Sequence, residues 1–223
     1  MRHERQSSDR HPPCSFSGSS RFGFAHMPDG TLVTYGAFFE GAERIAAALV
    51  TAGIAPGDRV AAQVQKSLTA LQLYVGTVMA GGVFLPLNTG YQASELDHFV
   101  RDASPSVFVC DPSAADAIAA LSNAVILTLS ASGTGTLSEA AEAEAPGMAP
   151  IARAGEDLAA ILYTSGTTGK PKGAMLSHAN LASNSATLAA FWGFTKDDVL
   201  ILSLIHISEP TRLESKSRIP ASG

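Results

Sequence analysis

Eleven consecutive residues, Tyr163-Thr-Ser-Gly-Thr-Thr-Gly-Lys-Pro-Lys-Gly173, gather the groups in this sequence best suited to holding an anion. Thr164, Ser165, Thr167 and Thr168 supply hydroxyl donors, and Lys170 and Lys172 bring positive charge on flexible stems. Gly166, Gly169 and Gly173 let the backbone turn sharply and approach a ligand closely. Successive N–H groups in such a turn form an anion-binding nest. The combination suits the triphosphate of a nucleotide. It is not a Walker A motif, which needs a glycine where Thr164 stands and Ser or Thr where Pro171 stands.

The elements around the loop must hold it in place. The apolar run 158–162, Leu-Ala-Ala-Ile-Leu, reads as a buried strand that feeds the loop. A flexible Gly/Ser/Thr linker would not be preceded by such a run. Upstream, residues 31–34 read as a short strand. Phe38, Phe39, Ala42, Ile45, Ala46, Leu49 and Val50 recur at helical spacing, and Gly53 ends that helix. Strands are expected at 59–64, 83–87, 106–110 and 125–129. Helices are expected from Ser67 to Ala80, from Ser94 as N-cap with Asp97 three residues on, and from Asp111-Pro112 through Leu121. Residues 130–156 form a surface connection with a short helix near 137–145, and 180–191 read as a further helix. Strands alternating with helices imply an α/β fold with a parallel sheet and flanking helices.

Composition narrows the class. The 223 residues are 46% hydrophobic and 16% charged, enough to bury a core. A net charge of −5 argues against nucleic acid and anionic membranes as partners. Cys14 and Cys110 lie far apart and suggest neither a disulfide framework nor a zinc site. The uncharged stretch 68–87 has the length of a membrane span, but Gly81-Gly82 and Pro86 split it into a buried helix and a strand, so no integral membrane segment is expected. The N-terminus has no apolar leader, which assigns the cytoplasm. Its Arg- and Ser-rich character makes the mitochondrial matrix the alternative in a eukaryote.

The 163–173 string resembles the phosphate-binding signature of the adenylate-forming enzymes, the family of acyl-CoA synthetases, adenylation domains and luciferases. The resemblance runs from about Leu32 to Ile201. The segments 58–67, 84–91, 95–99, 157–163 and 194–200 look most like the malonate-activating members. It implies the N-terminal part of the family's large domain, truncated: 25–201 a partial AMP-binding domain and 202–223 a tail. Residues 1–24, rich in Ser, Arg, His and Pro and without periodicity, are expected to lack order. The resemblance further implies that Thr164, Ser165, Gly166, Thr167, Thr168 and Gly169 wrap the β- and γ-phosphates of ATP, that Lys172 is the principal cation, and that Lys170 gives secondary attraction. Mg²⁺ would bridge the phosphates, and coenzyme A would be the co-substrate. The acyl pocket, the acidic magnesium ligand and the late lysine of the family all come after this point, so no catalytic or metal-binding residue is assigned here, and the chain by itself is expected to be inactive. A fatty or other carboxylic acid is the alternative substrate, and a non-catalytic nucleotide-binding module the alternative class.

Several other residues are expected to serve the fold. Tyr163 should pack, Gly173 should answer to backbone geometry, Asn180 should cap a helix, and Asp197-Asp198 should make a turn. Asn88 and Tyr91 fall in a Pro/Asn/Gly turn, and Asp97 and His98 are expected to face solvent. Residues 202–212, Leu-Ser-Leu-Ile-His-Ile-Ser-Glu-Pro-Thr-Arg, read as the translation of a transposase-type sequencing-library adapter, so the tail is expected to be non-native.

Overall fold

The structure, a computed structural model, describes residues 21–164, 171–195, 198–200 and 218–220. Two compact units divide the chain between Glu40 and Gly41. In the first, β1 (Gly23–His26) pairs antiparallel with β2 (Leu32–Thr34). Asp29 shapes the turn between them by accepting from the Thr31 N–H at 2.9 Å. Phe24 stacks on Phe38, centroids 4.0 Å apart, and meets Tyr35 edge-on at 5.1 Å. Strand β2 answers the expectation at 31–34. Strand β1 starts at Gly23, at the end of a stretch in which the sequence showed no periodicity.

Helix α1 (Tyr35–Thr51) starts in the first unit, and its residues from Gly41 on belong to the second. It ends in a Schellman motif: the Ile54 N–H bonds Leu49 O and the Gly53 N–H bonds Val50 O, with Gly53 at φ +98°. There follow β3 (Arg59–Gln63), α2 (Leu68–Met79), β4 (Val83–Pro86), α3 (Ala93–Ala103), β5 (Val107–Cys110), α4 (Ala115–Ala119) and β6 (Val125–Thr128). The chain continues through α5 (Thr136–Ala143), β7 (Leu158–Thr164), β8 (Lys172–Ser177) and α6 (His178–Trp192). Short strands β9 (Asp198–Leu200) and β10 (Arg218–Pro220) then pair antiparallel.

One six-stranded sheet has the order β6-β5-β3-β4-β7-β8. Its first five strands are parallel, and β8 runs antiparallel on β7. Alternate residues of the central strands go to opposite faces. Val60, Ala62, Val107 and Val109 meet α1, α2 and α5 through Ile45, Leu49, Leu73 and Leu137. Ala61, Leu85, Phe108 and Cys110 meet α3 and α4 through Leu96, Phe99, Val100 and Ile118. Both faces are therefore covered, which is why these strands read as nearly continuous apolar runs. Helices α1 and α2 approach so closely that a Cβ on Gly76 would lie 2.8 Å from the Ala42 carbonyl oxygen.

The side-chain caps expected at Ser67 and Asp111 form, and the one expected at Ser94 is corrected. Ser67 Oγ accepts from the Ala70 N–H at 3.1 Å, as its place before an apolar helix suggested. Helix α3, however, starts from Gln92 rather than Ser94: the Glu95 carboxylate accepts from the Gln92 N–H at 2.8 Å, and Ser94 lies inside the first turn. Asp111 caps a short 3-10 turn, Pro112–Ala114, before α4. Among the described residues no helix is long and apolar enough to cross a membrane.

Candidate functional site

The two strands that flank the phosphate-loop string form a β-hairpin. Strand β7 is held on one side by β4, with Phe84 beside Ala160, and on the other by β8. The hairpin register pairs Tyr163 with Gly173 and closes with Thr164 opposite Lys172. Thr164 and Lys172 are both exposed at its mouth, and Thr164 Oγ1 lies 3.5 Å from Lys172 O, a long contact. The structure thus brings two of the expected phosphate ligands together. Ser165, Gly166, Thr167, Thr168, Gly169 and Lys170 lie outside the described residues. Strand β8 was not anticipated. Lys-Gly-Ala-Met-Leu-Ser lacks strict alternation, and only the apolar pair Met175-Leu176 hinted at it.

Because β7 runs parallel to β3, β4 and β5, the loop leaves the sheet at the carboxyl ends of those strands. That edge is where ligands bind in open α/β sheets. The turn after β4 lies on the same edge. The buried Gln63, last residue of β3, pins this turn by donating its Nε2 protons to Asn88 O at 3.0 Å and Tyr91 O at 3.3 Å. Asn88 Oδ1 folds back onto the Gly90 N–H at 2.8 Å. Gln63 is the residue sequence reasoning missed here; a polar residue ending an apolar strand was its only signal.

Aromatic packing joins turn and hairpin. Tyr91 lies 4.9 Å from Phe99, and Phe99 lies 4.5 Å from Tyr163, centroid to centroid. Tyr163 packs as expected, but it also donates its phenolic proton to the Asp102 carboxylate at the end of α3. Burial, with the Asp102 bond and charge added, raises the Tyr163 pKa, so the phenol stays a donor. His98 does not face solvent as expected. It is half-buried beside Phe99 and Tyr163, and among the described residues its Nε2 has no hydrogen-bond partner. Asp97 is engaged by Arg101 one turn on, Nε to Oδ1 2.9 Å.

Gly173 also differs from expectation. Its φ is not in the left-handed region. A Cβ there would instead come within 3.0 Å of Ile161 Cγ2 and 3.4 Å of the Tyr163 ring, so what this position needs is space. Downstream, Ser177 and Asn180 form a reciprocal capping box at the start of α6, with bonds of 3.2 and 3.0 Å, and Asn180 is a cap as expected. Asp198 accepts from the Thr195 N–H at 2.8 Å and shapes a turn. Cys110 ends β5 on the same sheet edge, but burial, with the Asp111 charge second, pushes its thiol up to about 11 and leaves it unreactive. A shallow cavity of about 290 Å³, lined by Ser104, Pro105, Ser122 and Asn123, opens at the amino ends of β5 and β6, the edge opposite the loop. Among the described residues no three His, Cys, Asp or Glu side chains gather to hold a metal ion.

The model of the AMP-binding enzyme family matches residues 20–212, past Ile201, where the resemblance read from the sequence ended. The chain belongs to the AMP-binding enzyme family. It is 37% identical over 169 residues to a feruloyl-CoA synthase of Amycolatopsis, a match covering 76% of this chain and 33% of that protein. Among solved structures it resembles apo MatB from Rhodopseudomonas palustris, with a TM-score of 0.82 and 50% identity over 84% of this chain and 38% of the other. ATP-bound MatB from the same organism gives a TM-score of 0.78 and 53% identity over 80% of this chain and 36% of the other. The α/β architecture is thus that of the N-terminal part of the adenylate-forming fold, and the chain spans about a third of the length of these relatives.

Proposed function

We propose that the chain is the phosphate-gripping part of an ATP-dependent acyl-CoA synthetase whose acid is malonate. A malonate oxygen attacks the α-phosphorus of ATP, the bond to pyrophosphate breaks, and malonyl-adenylate forms. The thiol of coenzyme A then takes the acyl group and releases AMP. The observation that carries the reading is the hairpin mouth, where an exposed lysine and a threonine hydroxyl flank the glycine-rich loop at the carboxyl edge of the sheet. Cations and donors placed there stabilise charge on the phosphoryl oxygens. Lys172 is the principal cation, Lys170 is secondary, and Thr164 through Gly169 line the phosphates. Magnesium would bridge the phosphate oxygens of the bound ATP.

The choice of malonate is supported by the segments 58–67, 84–91, 95–99, 157–163 and 194–200, which look most like the malonate-activating members of the family. Two measurements test the reading. The chain should bind Mg-ATP in titration calorimetry, and Lys172→Ala should weaken binding about tenfold; unchanged affinity would remove Lys172 from the site. The chain alone should show no malonate-dependent exchange of pyrophosphate into ATP. The product of the reading frame continued past codon 201 should show it with malonate and not with ferulate or a fatty acid; the reverse preference would reassign the acid. We further propose that residues 202–223 are adapter-derived, which adapter-free resequencing across codon 201 would confirm or refute.

A further inference from the structure

The first and last residues of the loop motif form one packing unit that the phosphate chemistry does not explain. Tyr163 and Gly173 are cross-strand partners at the hairpin base, one residue before the closing pair Thr164 and Lys172. The missing side chain at Gly173 leaves room for the Tyr163 ring and for Ile161 Cγ2. The ring leans on Phe99 of α3, centroids 4.5 Å apart, and its hydroxyl reaches Asp102 one turn further along that helix. Asp102 is exposed, and among the described residues its carboxylate has no cationic partner within ion-pair distance. Its place is unfavourable on other grounds, because a negative charge in the last turn of a helix opposes the macrodipole. Among the described residues the hairpin has one backbone-paired neighbour, β4, which it meets at Phe84 and Ala160. A side-chain tie to α3 therefore adds a second point of attachment next to the loop.

We propose that Tyr163, held through Asp102, is a positioning residue that fixes where the phosphate loop leaves the sheet. This deepens the ATP-binding reading above and rests on it. The tie sets the height and angle of Thr164 and Lys172 relative to the carboxyl edge, and so the affinity for the triphosphate. Neither Tyr163 nor Asp102 touches the nucleotide.

The test is Mg-ATP titration of the 223-residue chain and four variants, with thermal unfolding and amide exchange at Thr164, Lys172 and Gly173. Asp102→Ala and Tyr163→Phe should each weaken Mg-ATP binding roughly fivefold and speed exchange at those amides. The double variant should be no weaker than either single one, because both remove the same bond. Asp102→Asn keeps an acceptor oxygen and should restore affinity to within about twofold of the parent. A purely structural Asp102 predicts otherwise: Asp102→Ala would lower the unfolding midpoint and leave Mg-ATP affinity unchanged. That result, or wild-type affinity in Tyr163→Phe, overturns the proposal. If the parent chain binds no Mg-ATP, the phosphate-binding reading itself falls, and the positioning role with it.

Discussion

Helices α2 and α6 are built alike and end in opposite circumstances. Both are rich in Ala, Leu and other apolar residues, both carry almost no charge, and both start from a serine cap. Helix α2 buries Leu73, Gly76, Thr77 and Met79 between the sheet and α1. Helix α6 buries none of its residues, and Phe191 stands 82% exposed. The neighbouring edge strand continues this open surface, with Met175 67% exposed. Propensity and capping therefore decide where a helix starts and stops, while burial depends on what lies beside it. In α6 the first turn alone is locked. Ser177 is buried, the His178 N–H bonds Asp157 O at 3.0 Å, and the Ala179 N–H bonds Gly155 O at 2.8 Å.

The largest contrast should appear on truncation. Leu73→Ala is expected to cost about 2–5 kcal/mol, against about 0.5 kcal/mol or less for Phe191→Ala. Chemical denaturation of both variants measures the difference, and equal costs would mean that α6 is covered in solution. Gly76→Ala comes next, at about 1–3 kcal/mol, because its methyl meets backbone that cannot give way easily. Ser67→Ala and Ser177→Ala should each cost about 1 kcal/mol, nearly independent of how deep the helix body lies. A much smaller loss at Ser177 would show that α6 frays from its first turn.

The smallest effect concerns pH. Burial, with the charge of Arg153 second, holds the His178 pKa below its ordinary 6.5, and Asp157 opposes them in part. The folded state then binds fewer protons than the unfolded chain, so stability is full above pH 6.5 and declines as pH falls below it. Thermal unfolding of the parent should show this slope, and His178→Asn should flatten it.

Much of the fold could be read because its signals are local. Residues 59–63, 83–86, 107–110 and 125–128 are short apolar runs bounded by turn residues, and the helices between them carry a clear apolar stripe. What stayed hidden depends on tertiary neighbours. Strand β8 exists because β7 offers it an edge, and its own residues alternate poorly. The start of α3 moved from Ser94 to Gln92 because Glu95 reaches back to the Gln92 N–H, a choice two plausible caps cannot reveal in sequence. His98 looked like a solvent residue until Tyr163 came to lie beside it. Within the candidate site the string 163–173 carries the family resemblance on its face. The pinning of the 88–91 turn by Gln63 did not show, since it joins residues more than twenty positions apart.

The single register pair between β4 and β7 has a kinetic consequence. Strand β7 shares six paired positions with β8 but only Phe84–Ala160 with the rest of the sheet. Under strain the weaker seam separates first, so the two strands should leave together while β3 to β6 stay assembled. Opening would then expose amides 158–164 and 172–177 in one cooperative step of lower free energy than global unfolding. Anything that grips the loop from outside would slow that step, so occupancy of the loop would be recorded as protection along the whole of β7 and β8, well beyond Thr164 and Lys172 at the loop.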